Sequence, residues 1–307
     1  MAETKKIKFI LSRKGFDSGF GGIPSPILRD NTLLSMPIPN KNDDEYPDKE
    51  TYKDLKYNDK EYIEIINSLK NFRKKARETN FNYCHLDPDL RKDVIGRNGK
   101  WFAAFGQSEN AQSYLNNCDV KEGDIFLFFG WFRKLNPNSD KWEFEKGEFK
   151  DYHVVYGYLQ VGDKVEKYED MEQKCPWHPH NNKNKYGGKP NCVYIAKQYL
   201  ELDGVESKTY PGSGVFKFNS STVLTNENKS RSKWIYRGFY DAGNIYTETR
   251  KNAMENDEGV QYKGQWQEIV LKNDNKKLYN ETLDWFKKML ESNKDELLKS
   301  INQDYDD

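Results

Sequence analysis

GDIFLFFGWFR at residues 123–133 and YHVVYGYLQV at residues 152–161 are the two stretches that decide the fold. Both are rich in aromatic and β-branched residues, which predicts two apolar strands in the core. Between them, WEFEKGEF at residues 142–149 alternates aromatic and charged residues, as an exposed edge or a hairpin does. We therefore expect a β-rich centre.

Patterns on either side of this centre predict an α+β fold. An N-terminal strand-loop-helix portion comes first, and its helix covers residues 59–79, where apolar residues recur every three or four positions. Residues 276–301 predict a C-terminal amphipathic helix. No linker divides the chain, so we expect one compact domain over residues 1–307. Further strands are predicted at residues 5–12, 32–38, 193–196, 215–218 and 267–271, and a short helix at residues 108–117 with Ser108 as its N-cap.

Composition limits the function classes. The 307 residues carry 49 Lys and Arg against 49 Asp and Glu, so the net charge does not argue for a nucleic-acid partner. No apolar run reaches the length of a membrane span, and the N-terminus lacks the pattern of a signal peptide. We expect a cytoplasmic protein without a membrane partner. Its thiols are then reduced: Cys84, Cys118, Cys175 and Cys192.

The loop SRKGFDSGFGGIPSPIL, residues 12–28, follows the first predicted strand. Its glycines allow the backbone to approach an anion closely, and loops at strand ends often carry sites. We predict catalytic roles for Lys14, Asp17 and Ser18. The alternative is a rigid surface loop with two turns. Substrate contacts are predicted for Ser12, Arg13 and Ser25.

The second candidate is HLDPDL, residues 85–90. His85 and Asp87 are two positions apart and would share a side of an extended backbone. A histidine and a carboxylate can perform general acid–base catalysis, so both are predicted to be catalytic. An Asp-Pro turn before a short helix explains the same residues without a function.

The third candidate is CPWHPH, residues 175–180. Cys175, His178, His180 and Cys192 supply the atoms that zinc prefers, but their spacing is not that of a familiar zinc module. Zinc is therefore set aside, and neither a metal nor another cofactor is predicted. His178 and His180 could instead line a substrate pocket, or they could be ordinary histidines on a rigid loop.

Aromatic and amide side chains complete the candidates. Trp131, Tyr156 and Tyr158 could stack on a base, although each taken singly is more typical of a core residue. Arg133 could contact a phosphate, and the chain near residues 226–237 mixes basic and aromatic residues. Gln107 and Gln265 complete the predicted substrate contacts, since amides can read base edges.

The order of these motifs resembles the nucleotide modification associated domain 3 family from about residue 7 to about residue 271. The family is named for its genomic association with base-modification systems of phages and bacteria. The resemblance implies a nucleotide or DNA, in particular a modified one, as the target. Cys175 and Cys192 are not part of the matching pattern. The matching positions are Lys14, Gly15, Asp17, Ser18, Pro24, Ser25, His85, Asp87, Gly106, Gln107, Trp131, Arg133, His178, His180 and Gln265.

The middle of the chain, about residues 118–271, is also similar to the PUA-like barrels of EVE and ASCH modules. Those modules bind nucleic acids or modified bases in a cleft lined by aromatic rings. This second likeness implies a PUA-like barrel at the β-rich centre.

Two main functions follow. The first is an enzyme that cleaves or transfers a glycosidic bond of a modified nucleotide, in DNA or free. The second is a non-catalytic reader of modified bases that uses Trp131, Tyr156 and Tyr158 for stacking and Arg133, Lys233 and Arg237 for the backbone. An accessory component of a modification or defence system is the third alternative.

Overall fold

The computed structural model describes residues 6–41, 44–97, 99–240, 244–246, 255–256, 259–263 and 267–303. The N-terminal half of the chain contains the following elements: β1 (Phe9–Arg13), β2 (Ser25–Ile27), β3 (Ile38–Pro39), β4 (Lys56–Tyr57), β5 (Lys60–Glu61), α1 (Tyr62–Leu69), α2 (Lys74–Glu78), β6 (Cys84–His85), β7 (Ala104–Ser108), α3 (Glu109–Asn117) and β8 (Ile125–Lys134).

The C-terminal half begins with the longest strand among the described residues. Its elements are β9 (Asp151–Val165), α4 (Tyr168–Lys174), α5 (Lys183–Tyr186), β10 (Asn191–Ala196), β11 (Ser213–Val215), β12 (Lys233–Trp234), β13 (Glu255–Asn256), β14 (Gly259–Gln261), β15 (Glu268–Val270), α6 (Lys276–Glu291) and α7 (Lys294–Gln303).

The apolar stretches 123–133 and 152–161 form β8 and β9, the two strands in the middle of the main sheet. Its strand order is β15-β1-β8-β9-β10-β7, with β2 also beside β8 and β11 also beside β9. Strands β8 and β9 pair antiparallel, whereas β1 and β8 pair parallel. The predicted α+β class is confirmed. The strand path is open between β15 and β7 within the described residues, so the predicted closure into a barrel is not confirmed.

Strand β8 is buried on both faces, and its alternate residues belong to two different cores. Ile125, Leu127 and Phe129 pack in the cluster that contains side chains of α6. Phe126 and Phe128 pack in the cluster that contains side chains of α3. Because successive strand residues point to opposite faces, the apolar run of β8 joins the two halves of the core.

The predicted C-terminal helix is two helices, because Asn293 ends α6. Its side-chain amide donates to the carbonyl of Met289, and its Oδ1 accepts from the backbone N–H of Lys217. The bond to Met289 takes the carbonyl that the backbone N–H of Asn293 would use in a continuous helix, and the bond from Lys217 ties Asn293 to a distant segment. Asn293 is buried, so the break is part of the core. The short helix α7 then packs on β11.

The helix predicted over residues 59–79 is also interrupted. It contains α1, a 3₁₀ turn at Lys70–Phe72 and α2. Arg73 is extended between them, and its guanidinium lies 4.8 Å from the Trp131 ring and 3.4 Å from Asp151 Oδ2. The tertiary contacts of Arg73 therefore override the helical periodicity.

Two predicted strands are shorter than expected. The stretch 32–38 has isolated bridges at Thr32 and Leu33 and a strand only at β3. The strand predicted over 215–218 begins earlier, as β11, and shares only Val215 with the predicted range. No helix in the described part of the chain is both long and apolar enough to cross a membrane.

Candidate functional site

Five segments that are distant in sequence meet in a cleft of about 430 Å³. They are the loop after β1, the β6 loop, the junction of β7 and α3, the loop before α5, and the start of β15. The lining includes Arg13, Lys14, Asp17, Phe20, His85, Asp87, Gln107, Ser108, Glu109, Asn110, Ala111, His180, Tyr186, Gln267 and Glu268.

His85, Asp87 and His180 form the chemical centre of this cleft. One nitrogen or oxygen of each residue lies within 4.8 Å of the other two. His85 ends the short strand β6, which pairs with β3, and Asp87 follows two residues later. His180 comes from the loop after α4, 93 positions beyond Asp87 in the chain. The sequence predicted each of the three side chains, and the fold brings them together.

Gly106 on β7 allows the histidine loop to approach. A Cβ atom at this position would lie 2.2 Å from Cδ2 of His180 and 2.7 Å from Cε1 of His178. Both distances are far below van der Waals contact, so the two rings occupy the space of the absent side chain. The backbone N–H of Gly106 also donates to Oδ1 of Asp87 at 2.7 Å. Gly106 therefore helps to position His178, His180 and Asp87.

Hydrogen bonds hold both cleft histidines in one orientation. Nδ1 of His85 lies 2.8 Å from Oδ2 of Asp48, and Nδ1 of His180 lies 2.7 Å from Oδ1 of Asn191. The amide of Asn191 donates to the carbonyl of His180 at 3.0 Å, which assigns its oxygen to the ring. Since both acceptors take the Nδ1 proton, Nε2 of each ring is the atom available for chemistry.

The electrostatics of the centre favour a charged carboxylate and a neutral ring. Burial raises the pKa of Asp87, but His178, His180 and Lys14 outweigh it and hold this pKa well below its usual range. Nε2 of His178 lies 3.3 Å from Oδ1 of Asp87. Burial lowers the pKa of His180 to about 3, against the opposing effect of Asp87. At neutral pH Asp87 is therefore ionised and His180 is neutral.

Glu268 organises the opposite wall of the cleft. Its buried Oε1 accepts from Ser12 Oγ at 3.0 Å and from Gln107 Nε2 at 2.5 Å. Nζ of Lys14 lies 3.4 Å from the same oxygen and 4.4 Å from the centroid of the Phe105 ring. Three predicted site residues, Ser12, Lys14 and Gln107, are thus fixed by a carboxylate that was not predicted.

Asp17 closes the glycine-rich loop. Its Oδ1 accepts from the backbone N–H groups of Gly19 and Phe20 at 2.6 and 2.7 Å, and its Oδ2 lies 2.9 Å from Arg13 NH1. These bonds give Asp17 a structural role at the cleft entrance. Ser18 accepts from Arg231 at 2.7 Å and faces a neighbouring cavity.

That neighbouring cavity has a volume of about 740 Å³. It shares Arg13, Asp17 and Phe20 with the cleft, so the two spaces adjoin. Its other lining residues include Ser18, Gly19, Phe149, Asp151, His153, Ser230, Arg231, Ser232 and Tyr262.

Five predicted substrate contacts lie outside the linings of both spaces, and one of them is Ser12, whose hydroxyl donates to Glu268. Ser25 is buried and accepts from the N–H of Met36, and His178 packs behind Asp87. The guanidinium groups of Arg73 and Arg231 lie 4.8 and 4.1 Å from the centroid of the Trp131 ring. Arg133 donates to Asp151 and to two backbone carbonyls. Gln265, the remaining predicted contact, lies outside the described residues.

The rings predicted for base stacking require a correction. Trp131, Tyr156 and Tyr158 are 2%, 3% and 0% exposed. Tyr156 and Tyr158 belong to the two apolar cores, where their faces are covered by other side chains. A ring buried in this way cannot receive a base.

The four residues considered for zinc, which are Cys175, His178, His180 and Cys192, do not form one metal site. Among the described residues, the group that could hold a metal ion consists of His85, Asp87 and His180 and includes one member of that set. Cys175 and Cys192 are buried thiols, and burial raises the pKa of Cys175 to about 12. Sequence reasoning missed Asp48 and Asn191, and it assigned no role to Glu268. Of these three residues, only Glu268 could have been recognised from the sequence, because it follows the two glutamines of GQWQEIV.

Comparison with known proteins agrees with the resemblance read from the motifs. The model of the family described as nucleotide modification associated domain 3 matches residues 8–272. No curated protein and no solved structure matches the chain. The matched range includes every residue of the cleft described above. The chain therefore belongs to the nucleotide modification associated domain 3 family.

Proposed function

We propose that this protein is an enzyme that binds a nucleotide in the cleft and changes it at the His85–Asp87–His180 centre. One observation carries the proposal: three reactive side chains from distant segments converge in a cleft, with both rings oriented by Asp48 and Asn191. Buried groups held in this way are typical of catalytic sites, where pre-organisation lowers the cost of reaching the transition state.

The cleft suits a nucleotide in size and polarity. Its volume of about 430 Å³ lies in the usual range for small-molecule sites. Arg13, Lys14 and the first turn of α3 line it, and cations and helix N-termini both favour phosphate groups. The side chains of Asn110 and Gln267 supply amides that can bond to base edges. The family description supports the same class of substrate.

Cleavage or transfer at a glycosidic bond is the reaction that these groups fit best. Asp87 would stabilise positive charge on the sugar, and the protonated ring of His85 would donate its Nε2 proton to the departing base. Water, or the acceptor in a transfer, would form the new bond to the sugar carbon that the base leaves. Nε2 of His85 lies 3.9 Å from Oδ2 of Asp87, so both groups can reach one bond. Asp48 would stabilise the protonated ring. Asp87 takes the role of the carboxylate in preference to Asp17, because Asp17 is engaged by Arg13 and by the loop backbone.

The adjoining cavity favours a nucleotide within a strand over a free one. Phe20 and Phe149 are 36% and 53% exposed, and both line this cavity with Arg231. Exposed rings beside a guanidinium are typical of surfaces that bind single-stranded DNA. The nucleotide in the cleft would then be continuous with a strand that passes through the second space.

A mass-spectrometric comparison of nucleosides and free bases tests the proposal. Plain DNA, hypermodified phage DNA and a nucleotide pool are each incubated with the wild type, with Asp87→Asn and with Asp17→Asn. We expect a new species from one pool, with a rate at least about 100-fold lower for Asp87→Asn. Asp17→Asn is the matched carboxylate at the cleft entrance and should retain most of the activity.

The outcomes separate the assignments, provided that circular dichroism shows folded variants. No new species in any pool would remove the enzyme. Full activity of Asp87→Asn would move the reaction away from this centre. Loss of activity in Asp17→Asn alone would restore the catalytic role predicted for Asp17 from the sequence.

A further inference from the structure

We propose that His85, Asp87 and His180 bind one divalent first-row transition-metal ion. The proposal stands on the geometry of these side chains and goes beyond the reaction proposed above. One donor atom of each residue lies within 4.8 Å of the others, and Nε2 of His85 lies 3.9 Å from Oδ2 of Asp87. All three residues face the cleft, so a bound ion would meet a substrate there.

The donor set indicates the class of metal. Two imidazole nitrogens and one carboxylate oxygen suit zinc, iron and their first-row neighbours. Magnesium and calcium prefer oxygen ligands alone. Three protein ligands also leave coordination positions open, as in catalytic rather than structural metal sites. The open positions would point into the cleft.

The second layer of contacts is that of a metal site. Histidines that bind metals usually donate their other ring N–H to a carboxylate or carbonyl oxygen. Here Nδ1 of His85 lies 2.8 Å from Asp48, and Nδ1 of His180 lies 2.7 Å from Asn191. Oδ1 of Asp87 is held by the backbone N–H of Gly106. Each of the three ligands is thus oriented by a different neighbour, with its second donor atom left for the ion.

The local charge permits a cation. Lys14 lines the same cleft and would repel a metal ion. Its Nζ, however, lies 3.4 Å from the buried carboxylate of Glu268, which offsets its charge. The buried carboxylate of Asp48 lies behind His85. The Asp48 carboxylate therefore faces the His85 ring, and the Glu268 carboxylate faces Lys14.

Binding requires a small contraction of the three side chains. Ligands bound at about 2.0–2.2 Å stand roughly 3–3.5 Å apart around one ion. The described separations, 3.9 Å between His85 and Asp87 and at most 4.8 Å overall, exceed this by up to about 1.8 Å, which rotation of the side chains would have to supply. With an ion bound, His85 and Asp87 act as ligands, so the roles proposed above for these two side chains at a glycosidic bond apply only to the metal-free centre.

The test measures metal binding and needs no substrate. The full chain is stripped with a chelator, dialysed and titrated calorimetrically with Zn²⁺, Mn²⁺ and, without oxygen, Fe²⁺, and Mg²⁺ serves as the negative control. We expect one equivalent of at least one transition metal. His85→Gln and Asp87→Asn should bind it at least about 100-fold more weakly. Asp17→Asn, a carboxylate of the same cleft outside the centre, should bind like the wild type.

Elemental analysis of the purified protein and thermal unfolding complete the design. The metal should raise the unfolding temperature of the wild type and of Asp17→Asn, but not that of His85→Gln. Absence of binding to all three metals, or equal binding by folded His85→Gln and Asp87→Asn, would overturn the proposal. A protein that binds the metal but changes no nucleotide keeps this inference and loses the proposed reaction.

Discussion

Oδ2 of Asp48 lies 2.8 Å from Nδ1 of His85, and only 1% of the Asp48 side chain is exposed. Burial raises the pKa of Asp48, but His85, Lys185 and Asn40 together outweigh this effect and lower that pKa. Asp48 is therefore a positioning residue that holds His85 in one tautomer without facing the cleft itself.

Asp48→Asn should weaken metal binding and turnover by about 10- to 100-fold, as loss of an outer-layer carboxylate does at other metal sites. The asparagine retains an oxygen for the ring but lacks the charge. Calorimetric titration with Zn²⁺ and the nucleoside assay measure the effect. Unfolding temperature without metal is the control, and an unchanged metal affinity would contradict the positioning role.

Gly106→Ala should displace the histidine loop, because its Cβ would overlap the rings of His178 and His180. We expect a loss of about 1–3 kcal/mol in the free energy of unfolding and a loss of metal binding. Gly96→Ala is the matched control, since a Cβ there meets nothing within 4 Å. Denaturant unfolding of both variants checks the prediction. Equal stability would mean that the loop adjusts freely.

Phe149→Ala should weaken binding of single-stranded DNA by about tenfold without changing binding of a mononucleotide. Phe149 lines the second cavity and is 53% exposed, so its removal leaves the core intact. Phe102→Ala, 46% exposed and outside both spaces, is the control. Fluorescence anisotropy with a labelled oligonucleotide measures both. A similar loss of DNA binding in the two variants would contradict the proposal that a DNA strand passes through the second cavity.

His153 should make the protein less stable as the pH falls below about 6.5. Burial, with Arg231 and Arg13, holds the pKa of His153 well below its usual value. Nδ1 of His153 accepts from Nε1 of Trp234 at 3.0 Å, so the folded ring is neutral. The unfolded chain takes up this proton near pH 6.5, which lowers the free energy of unfolding as the pH decreases.

The expected slope is up to about 1.4 kcal/mol per pH unit for each such histidine. His180, with its pKa lowered by burial to about 3, contributes with the same sign. His153→Asn should therefore reduce the slope between about pH 6.5 and pH 5 without abolishing it. Chemical unfolding at a series of pH values gives both curves. Parallel curves would show that His153 does not titrate in this window.

Local patterns predicted much of the fold. The apolar runs of β8 and β9 and the periodicity of α1 and α6 identify core elements, since burial requires those side chains wherever the elements pack. The interruptions at Arg73 and Asn293 were not predictable. Each depends on a partner from a distant segment, Trp131 for Arg73 and Lys217 for Asn293.

Residue chemistry also predicted most of the candidate site. His85, Asp87 and His180 were singled out because their side chains can exchange protons or bind metals. The choice of Asp87 over Asp17 as the reactive carboxylate depended on the fold. The loop backbone and Arg13 already bond to the Asp17 carboxylate. No sequence pattern pointed to Asp48 or Asn191. Each is recognised as a hydrogen-bond acceptor of a histidine ring only from its position in the structure.

The sequence by itself determined which residues could build a strand core and which side chains could carry chemistry, because both follow from local composition and spacing. Only the tertiary structure decided which of them meet. Pairing of β7 with β10 and the missing side chain of Gly106 bring the histidine loop to His85 and Asp87. The contact between Asp87 and His180 joins positions 93 residues apart in the chain, and only the packed core holds the two together.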